Sequence, residues 1–478
     1  MRERGGDTAV FAKRRDIDMV RGPIFGKMVA FVIPVILTNL LQVCYNSADM
    51  IIAGLSSEPN AVGAIGTTSS FTALVLNIFI GFALGANVVI ARHLGANESE
   101  KASRALHTAT LVGFLLGIVG AVIGLVISRP VLALMGNTGR LLDLSVTYTR
   151  WYFVALPFHA LSNYAISIHR AKGDTTTPLI VLAVTGILNV LLNLFFVLVC
   201  GMSVEGVAIA TGIAAATSAV VLYVNLFRER GACHFSPRLL CFDWSELKTI
   251  LYIGLPSGVQ SGLFSISNML IQASILQVDG VLAPMDVAYR PVVKANAAVN
   301  SVENFAFTAV NAVTHATTSF TSQNYGAKEY KRIRRVAWCS FALSSCFAIA
   351  TVTVLLLLRD PILALYDVRR LQDDALAMIA YDAAMVRIRI KWYTFITYAL
   401  MHICTAVMRG LGKSMTATVA MLLGTCALRV VWLETVFVAF PTLEVIYWSY
   451  PVSWVVTGVT LFGMLLFQFY KMGKQSEV

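Results

Sequence analysis

Asp49 is the one charged residue in the stretch 28–54, MVAFVIPVILTNLLQVCYNSADMIIAG. An ionised carboxylate at bilayer depth is costly unless it meets a wet cavity, a partner or a cation, so it reads first as a functional group. Pro34 and the YNSAD segment predict a bend that opens backbone carbonyls beside the acid. Three more polar residues can reach its level. Asn189 and Asn193, in GILNVLLNLFF, are four residues apart and share one helix face. At about 1.5 Å per residue, Asp49 lies roughly 30 Å up its helix, and Asn189 and Asn193 roughly 18 and 24 Å up theirs. Thr211 falls roughly 10 Å below the outer start of the helix that follows. A pocket with one carboxylate, two amide oxygens and a hydroxyl is expected, and hard oxygen ligands around one negative charge suit a proton or Na+. The competing reading is a hydrogen-bonded polar seam without a transported ion.

The second half of the chain carries Glu303 in AAVNSVENFAFTAV and Arg429 in TCALRVVWLET. Charges at such depth pair, and Glu303 with Arg429 is the expected match, structural or functional. Glu434 points elsewhere on the helix of Arg429. His315 and His402 read as satisfied core histidines. No HExxH, GxSxG, Walker A or dinucleotide fingerprint occurs in a usable context, so neither an enzyme nor a cofactor is expected.

The elements that must position these residues are transmembrane helices. The 478 residues are 57% hydrophobic and 13% charged with mean hydropathy +0.73, against about 45–50% apolar and 25% charged in a soluble domain. Twelve runs of spanning length centre roughly on residues 41, 77, 114, 156, 188, 216, 262, 309, 346, 399, 427 and 458. Their continuity excludes a β-barrel and predicts an all-α membrane protein. A net charge of +11 would suggest nucleic acid in a soluble chain, but about 25 of the Lys and Arg fall in inside segments if the N-terminus is inside. Both ends are therefore expected in the cytoplasm, at the plasma (inner) membrane. Anionic lipids, not nucleic acid, are the expected partners of the clusters Arg2 to Lys27 and Lys328 to Arg335. The first 27 residues resemble the charged part of a signal peptide, yet the apolar run after them is too long and lacks a cleavage site. Of the eight Cys, none has metal-ligand spacing, and Cys200 is the one expected to be exposed. Gly81/Gly85, Gly113/Gly117 and Gly120/Gly124 read as helix-packing positions.

The two halves repeat. Pro34 and Asn46 recur as Pro256 and Asn268, Gly95-Ala96 as Gly326-Ala327, and Arg170-Ala-Lys-Gly173 as Arg409-Gly-Leu-Gly412, at offsets of about 222, 231 and 239 residues. Six spans per half give a parallel repeat enclosing a cleft, two pseudo-symmetric six-helix bundles. The expected boundaries are a cytoplasmic segment 1–27, an N-lobe 28–228, a linker 229–247, a C-lobe 248–470 and a tail 471–478. Asp243 to Glu246 reads as a capping box opening the seventh span.

At these residues the chain resembles the MATE family, the multidrug and toxic compound extrusion transporters, in particular its bacterial DinF-like branch. The segments that carry the likeness run from GPIFGKMVAFVIPVILTNLLQVCYNSADMIIAG through GFALGANVVIARHLGA, HRAKGDTTTP, GLPSGVQSGLFSISNMLIQAS and TSFTSQNYGAKEYKRIRR to MRGLGKS. The resemblance implies two lobes about a cleft that opens alternately to each side. It also implies export of organic, often cationic, compounds driven by proton or sodium entry; the chain is expected to act as a monomer. It carries a first-helix coupling acid onto Asp49, with Asn189 and Thr211 beside it, and a fourth-helix Asn onto Asn163, whose depth lies nearer the inside. Members often have Asp where this chain has Asn193, so the family's coupling scheme does not transfer whole. A lipid or lipid-linked oligosaccharide flippase is the rival reading, kept open by Arg429 and by Arg387, Arg389 and Lys391, which the hydropathy places in an outer loop. A receptor or channel suits duplicated, rocking halves less well.

Overall fold

The protein is described here by a computed structural model covering residues 16–282, 290–366, 368–371 and 374–475. The first part of the expected basic cluster, residues 1–15, and the last three residues of the tail lie outside the described residues.

Helices account for nearly all of the described chain, and no strand occurs among the described residues. The first bundle comprises α1 (Ile24–Ala53), α2 (Ala61–Gly95), α3 (Ser99–Leu134), α4 (Gly139–Val154), α5 (Leu156–Lys172), α6 (Thr176–Leu194) and α7 (Val204–Arg228). The second comprises α8 (Trp244–Leu282), α9 (Pro291–Gly326), α10 (Tyr330–Leu357), the short α11 (Arg359–Leu365), α12 (Ala375–Lys391), α13 (Phe395–Gly410), α14 (Ser414–Met421), α15 (Leu428–Trp432) and α16 (Leu443–Gln475). Joined end to end, these pieces make 12 traversals. Eight of them are long and apolar enough to cross a membrane on composition alone. The polar residues of α8 and α9, and the breaks in the fourth and tenth traversals, take the other four below that threshold.

Those two breaks are related by the repeat. α4 gives way to α5 at Ala155, where Pro157 starts the new helix, and α12 gives way to α13 across Trp392 to Thr394. The fifth and eleventh traversals also match. Each contains π-helical turns, at Phe195–Val199 in one and at Leu422–Ala427 and Leu433–Phe437 in the other. The tenth traversal requires a correction to the hydropathy reading. It begins at Ala375, so Arg387 and Lys391 lie within the bundle and not in an outer loop; only Arg389 is exposed.

The bundles meet along one half of their length, toward the face that carries both described termini. Gly81 and Gly85 of α2 lie against the backbone of Gly258 and Gly254 in α8, with no room for a side chain. Further toward the terminal face, Gly95 abuts Gln323, and Gly326 abuts Arg92. Ser319 donates to Asn87 (3.1 Å), Gln323 to the Ala171 carbonyl (2.7 Å), and His93 faces Glu246 at 3.1 Å. By contrast, Gly113, Gly117 and Gly124 serve packing within the first bundle, against Tyr164, Pro157 and Phe153. Residues 17–21 cross the seam as a strap. The Ile17 N–H donates to the Gly173 carbonyl (3.2 Å) of the first bundle, while the Met19 carbonyl accepts from Asn324 (3.1 Å) and Arg332 (3.3 Å) of the second. No side-chain hydrogen bond joins the bundles near the far face among the described residues, so the cleft opens there.

Before α8, Asp243 caps the backbone N–H groups of Ser245 and Glu246 at 2.9 and 3.2 Å. Only half of the expected capping box forms, because the Glu246 side chain turns to His93. Cys200 is exposed as expected, and Cys44 and Cys346 are exposed as well.

Candidate functional site

The sequence places one acid and two amides at a common level, and three helices bring them into contact. Asn193 of α6 donates to Asp49 Oδ1 at 2.5 Å, and its amide nitrogen also lies 3.3 Å from Asn189 Oδ1. Thr211 of α7 stands 3.3 Å from Asp49 Oδ2 and 2.9 Å from the Val207 carbonyl, so its one hydroxyl proton has two acceptors to choose from. Asn189 donates to the Thr211 hydroxyl at 3.3 Å, which closes the ring of contacts. Asp49 is 6% exposed and Asn193 is fully buried. Among the described residues, Asn193 Oδ1 in this pocket has no hydrogen-bond partner. A buried acceptor without a donor is destabilising by itself, and it is the atom that a bound proton or cation would satisfy after rotation of the amide.

The close approach of α6 to α1 rests on a glycine. A side chain at Gly186 would collide with the Tyr45 ring, whose hydroxyl donates to the Ala183 carbonyl at 3.2 Å. Two phenols missed by the sequence reading complete the surroundings. Tyr148 and Tyr152 of α4 are buried within electrostatic reach of Asp49, and Tyr152 stacks on His159 at 5.0 Å. Their i, i+4 spacing was the available signal. Asn163 is not in this ring. Its amide donates to the His159 carbonyl at 2.9 Å, and it lines a separate cavity between the bundles with Asn39, Arg170 and His315.

The second bundle requires a correction. Glu303 does not pair with Arg429; its carboxylate takes Arg387 through two bonds, Nη2 to Oε2 at 2.6 Å and Nε to Oε1 at 3.1 Å, and Lys391 Nζ to Oε2 at 2.6 Å. Arg387 and Lys391 are i, i+4 on α12, so one helix face delivers both. Nη2 also donates to Asn300 Oδ1 at 3.0 Å, and Nη1 reaches both oxygens of Asn296. Arg429 instead donates from Nε to Ser453 Oγ at 2.9 Å and lies 4.4 Å from the Tyr450 ring centre. Lys391 lies 4.0 Å from the same ring. His315 faces the inter-bundle cavity, and His402 packs on Tyr398 at 4.1 Å between ring centres.

The profile of the MatE family matches residues 34–195 and 260–433, more than half of the chain. Among curated relatives, the chain is 26% identical over 464 residues to the probable multidrug resistance protein YoeA of Bacillus subtilis, covering 94% of this chain and 95% of that one. It is 24% identical over 251 residues to the multidrug export protein MepA of Staphylococcus aureus, covering 52% and 56%. Among solved structures, one described as the outward-facing conformation of a multidrug resistance MATE family transporter superposes with a TM-score of 0.85 at 19% identity, over 96% of this chain and 99% of that one. A transporter from Pyrococcus furiosus, described as having a binding pocket of reverse polarity that suggests a different function, superposes equally well, at 0.85 and 19% over 96% and 98%. At these identities the two structures establish a shared fold.

Proposed function

The chain belongs to the MatE family, whose members are transporters and not enzymes, and on that premise we propose that it exports amphipathic or cationic organic compounds in exchange for Na+ or H+ by alternating access. The observation that carries the coupling role is the ring around Asp49. It holds a single carboxylate, with an amide oxygen, Asn193 Oδ1, left without a donor. A proton or a sodium ion arriving from the open far side neutralises Asp49, and the Asn193 amide can turn its oxygen toward the newcomer. We place both termini in the cytoplasm of a plasma-membrane monomer, since the basic loops lie on the terminal side.

Reconstituted in liposomes under a sodium gradient and then a proton gradient, the wild-type protein should drive out a cationic dye. Asp49→Asn should fold and insert normally and lose gradient-driven efflux. Full efflux by that variant would overturn the coupling role. A lipid or lipid-linked oligosaccharide flippase is the second reading, supported by the buried cations Arg387, Lys391 and Arg429, which suit phosphate groups.

A further inference from the structure

The second bundle buries more positive charge than it pairs. Three cations, Arg387, Lys391 and Arg429, gather around one carboxylate, Glu303, linked through hydrogen bonds and the shared Tyr450 ring. Glu303, Arg387 and Lys391 are each 2% exposed and Arg429 7%. An arginine cannot shed its proton in a protein, so even a neutral Lys391 leaves Arg387 matched to Glu303 and Arg429 unmatched. Arg429 makes no ion pair among the described residues, and only its Nε is hydrogen-bonded. Its two terminal nitrogens have no hydrogen-bond partner among the described residues, and the side chain keeps 7% exposure.

The cluster borders the cleft. Asn300, which accepts from Arg387, is exposed, and so are Asn304 and Asn311 at helical spacing along α9. A row of amides is expensive against lipid, so this face lines a wet passage. It leads toward His315 and Arg170 on the cavity between the bundles.

The repeat sharpens the contrast. At the offset of about 239 residues that relates Arg170 to Arg409, Tyr148 corresponds to Arg387 and Tyr152 to Lys391. Both pairs sit on the half-helix that precedes a break. In the first bundle that face stands near Asp49; in the second it carries the cations. The same helix face therefore carries two neutral phenols beside an acid in the first bundle and two cations in the second.

We propose that the pocket in the second bundle binds the anionic group of an amphipathic substrate, a carboxylate, sulfonate or phosphate, with the Arg429 fork as its main donor and Lys391 beside it. The planar guanidinium suits such oxygens through two parallel bonds. The proposal rests on the transporter reading for the word substrate, and it is tested without any ion gradient. The full-length protein in neutral detergent is titrated with a fluorescent amphipath carrying a free carboxylate, and with its methyl ester. The acid should bind at least about tenfold more tightly than the ester. Arg429→Gln should weaken the acid by about 30-fold, and the ester by less than about threefold, while Arg429→Lys, which keeps the charge and loses the fork, should restore only part of the affinity. Displacement of the acid by phosphatidylglycerol and not by phosphatidylcholine would support the site and name a lipid headgroup as the source of the anion. Displacement by octanoate with no effect of phosphatidylglycerol would support it and name a soluble amphipath. Equal binding of acid and ester by the wild-type protein overturns the proposal, even if the variants fail to fold. Equal weakening of both by Arg429→Gln also overturns it. Either failure would leave the efflux result at Asp49 standing, and loss of that result would leave this binding unaffected.

Discussion

The i, i+4 pair Asn189 and Asn193 presents two amides on one face of α6 to the single acid, Asp49. Asn193 is where charge counting makes a prediction. A second carboxylate there would repel the first, so one of the two would keep its proton to higher pH. Asn193→Asp should therefore move the pH profile of efflux upward and alter its sodium dependence; an unchanged profile in a transporting variant would remove Asn193 from the coupling pocket. The Glu303 pairing was unreadable for a physical reason. Arg387, Arg389 and Lys391 depress the local hydropathy, which pushes the window toward a loop, although Glu303 supplies the compensation that lets two of them enter the bundle. Removing either Glu303 or Arg387 alone should cost about 3–5 kcal/mol, and removing both should cost clearly less than the sum. Additive losses in a double-mutant cycle of thermal stability would contradict the contact.

At the scale of elements, breaks matter as much as helices. Pro157 advertises the first one, whereas the second, at Trp392 to Thr394, has no proline and follows from the repeat alone. The turn between α5 and α6 shows how such a junction is held. Asp174 accepts from the Thr177 N–H at 2.9 Å and faces His169 Nδ1 at 3.2 Å, and Gly173 takes the left-handed conformation at φ 99°. Burial pushes the Asp174 carboxyl up, but the His169 and Thr177 hydrogen bonds outweigh it and hold it well below its ordinary 3.8. A depressed carboxylate stabilises the fold above its unfolded value and loses that contribution as pH falls through the folded one. Thermal stability should thus decline on acidification below about pH 4, less steeply in Asp174→Asn. Asp174→Ala should cost about 1–2 kcal/mol through loss of the α6 cap, read as a lower melting temperature near neutral pH.

In the whole molecule, the duplication and the twelve traversals follow from hydropathy and matched motifs. Which glycines meet across the bundles does not. Gly81 and Gly113 each stand between a β-branched residue and a Phe, yet one meets the other bundle and the other meets Tyr164. Where the backbones touch at Gly95 and Gln323, any side chain must force the terminal face apart. Gly95→Leu should shift the protein toward the state open at that face, seen as a shorter distance between spin labels on the far ends of α2 and α8. No change in that distance would show that the contact does not control which face is open.

The strap at Ile17 to Arg21 also constrains how the protein is made. Its Met19 carbonyl bonds residues 305 and 313 positions later in the chain, and these leave the ribosome only after the first bundle is already in the membrane. Until then the first bundle has one half of a clasp, and its terminal side has nothing to close against. The clasp that holds the terminal face closed is thus completed only in the last half of synthesis.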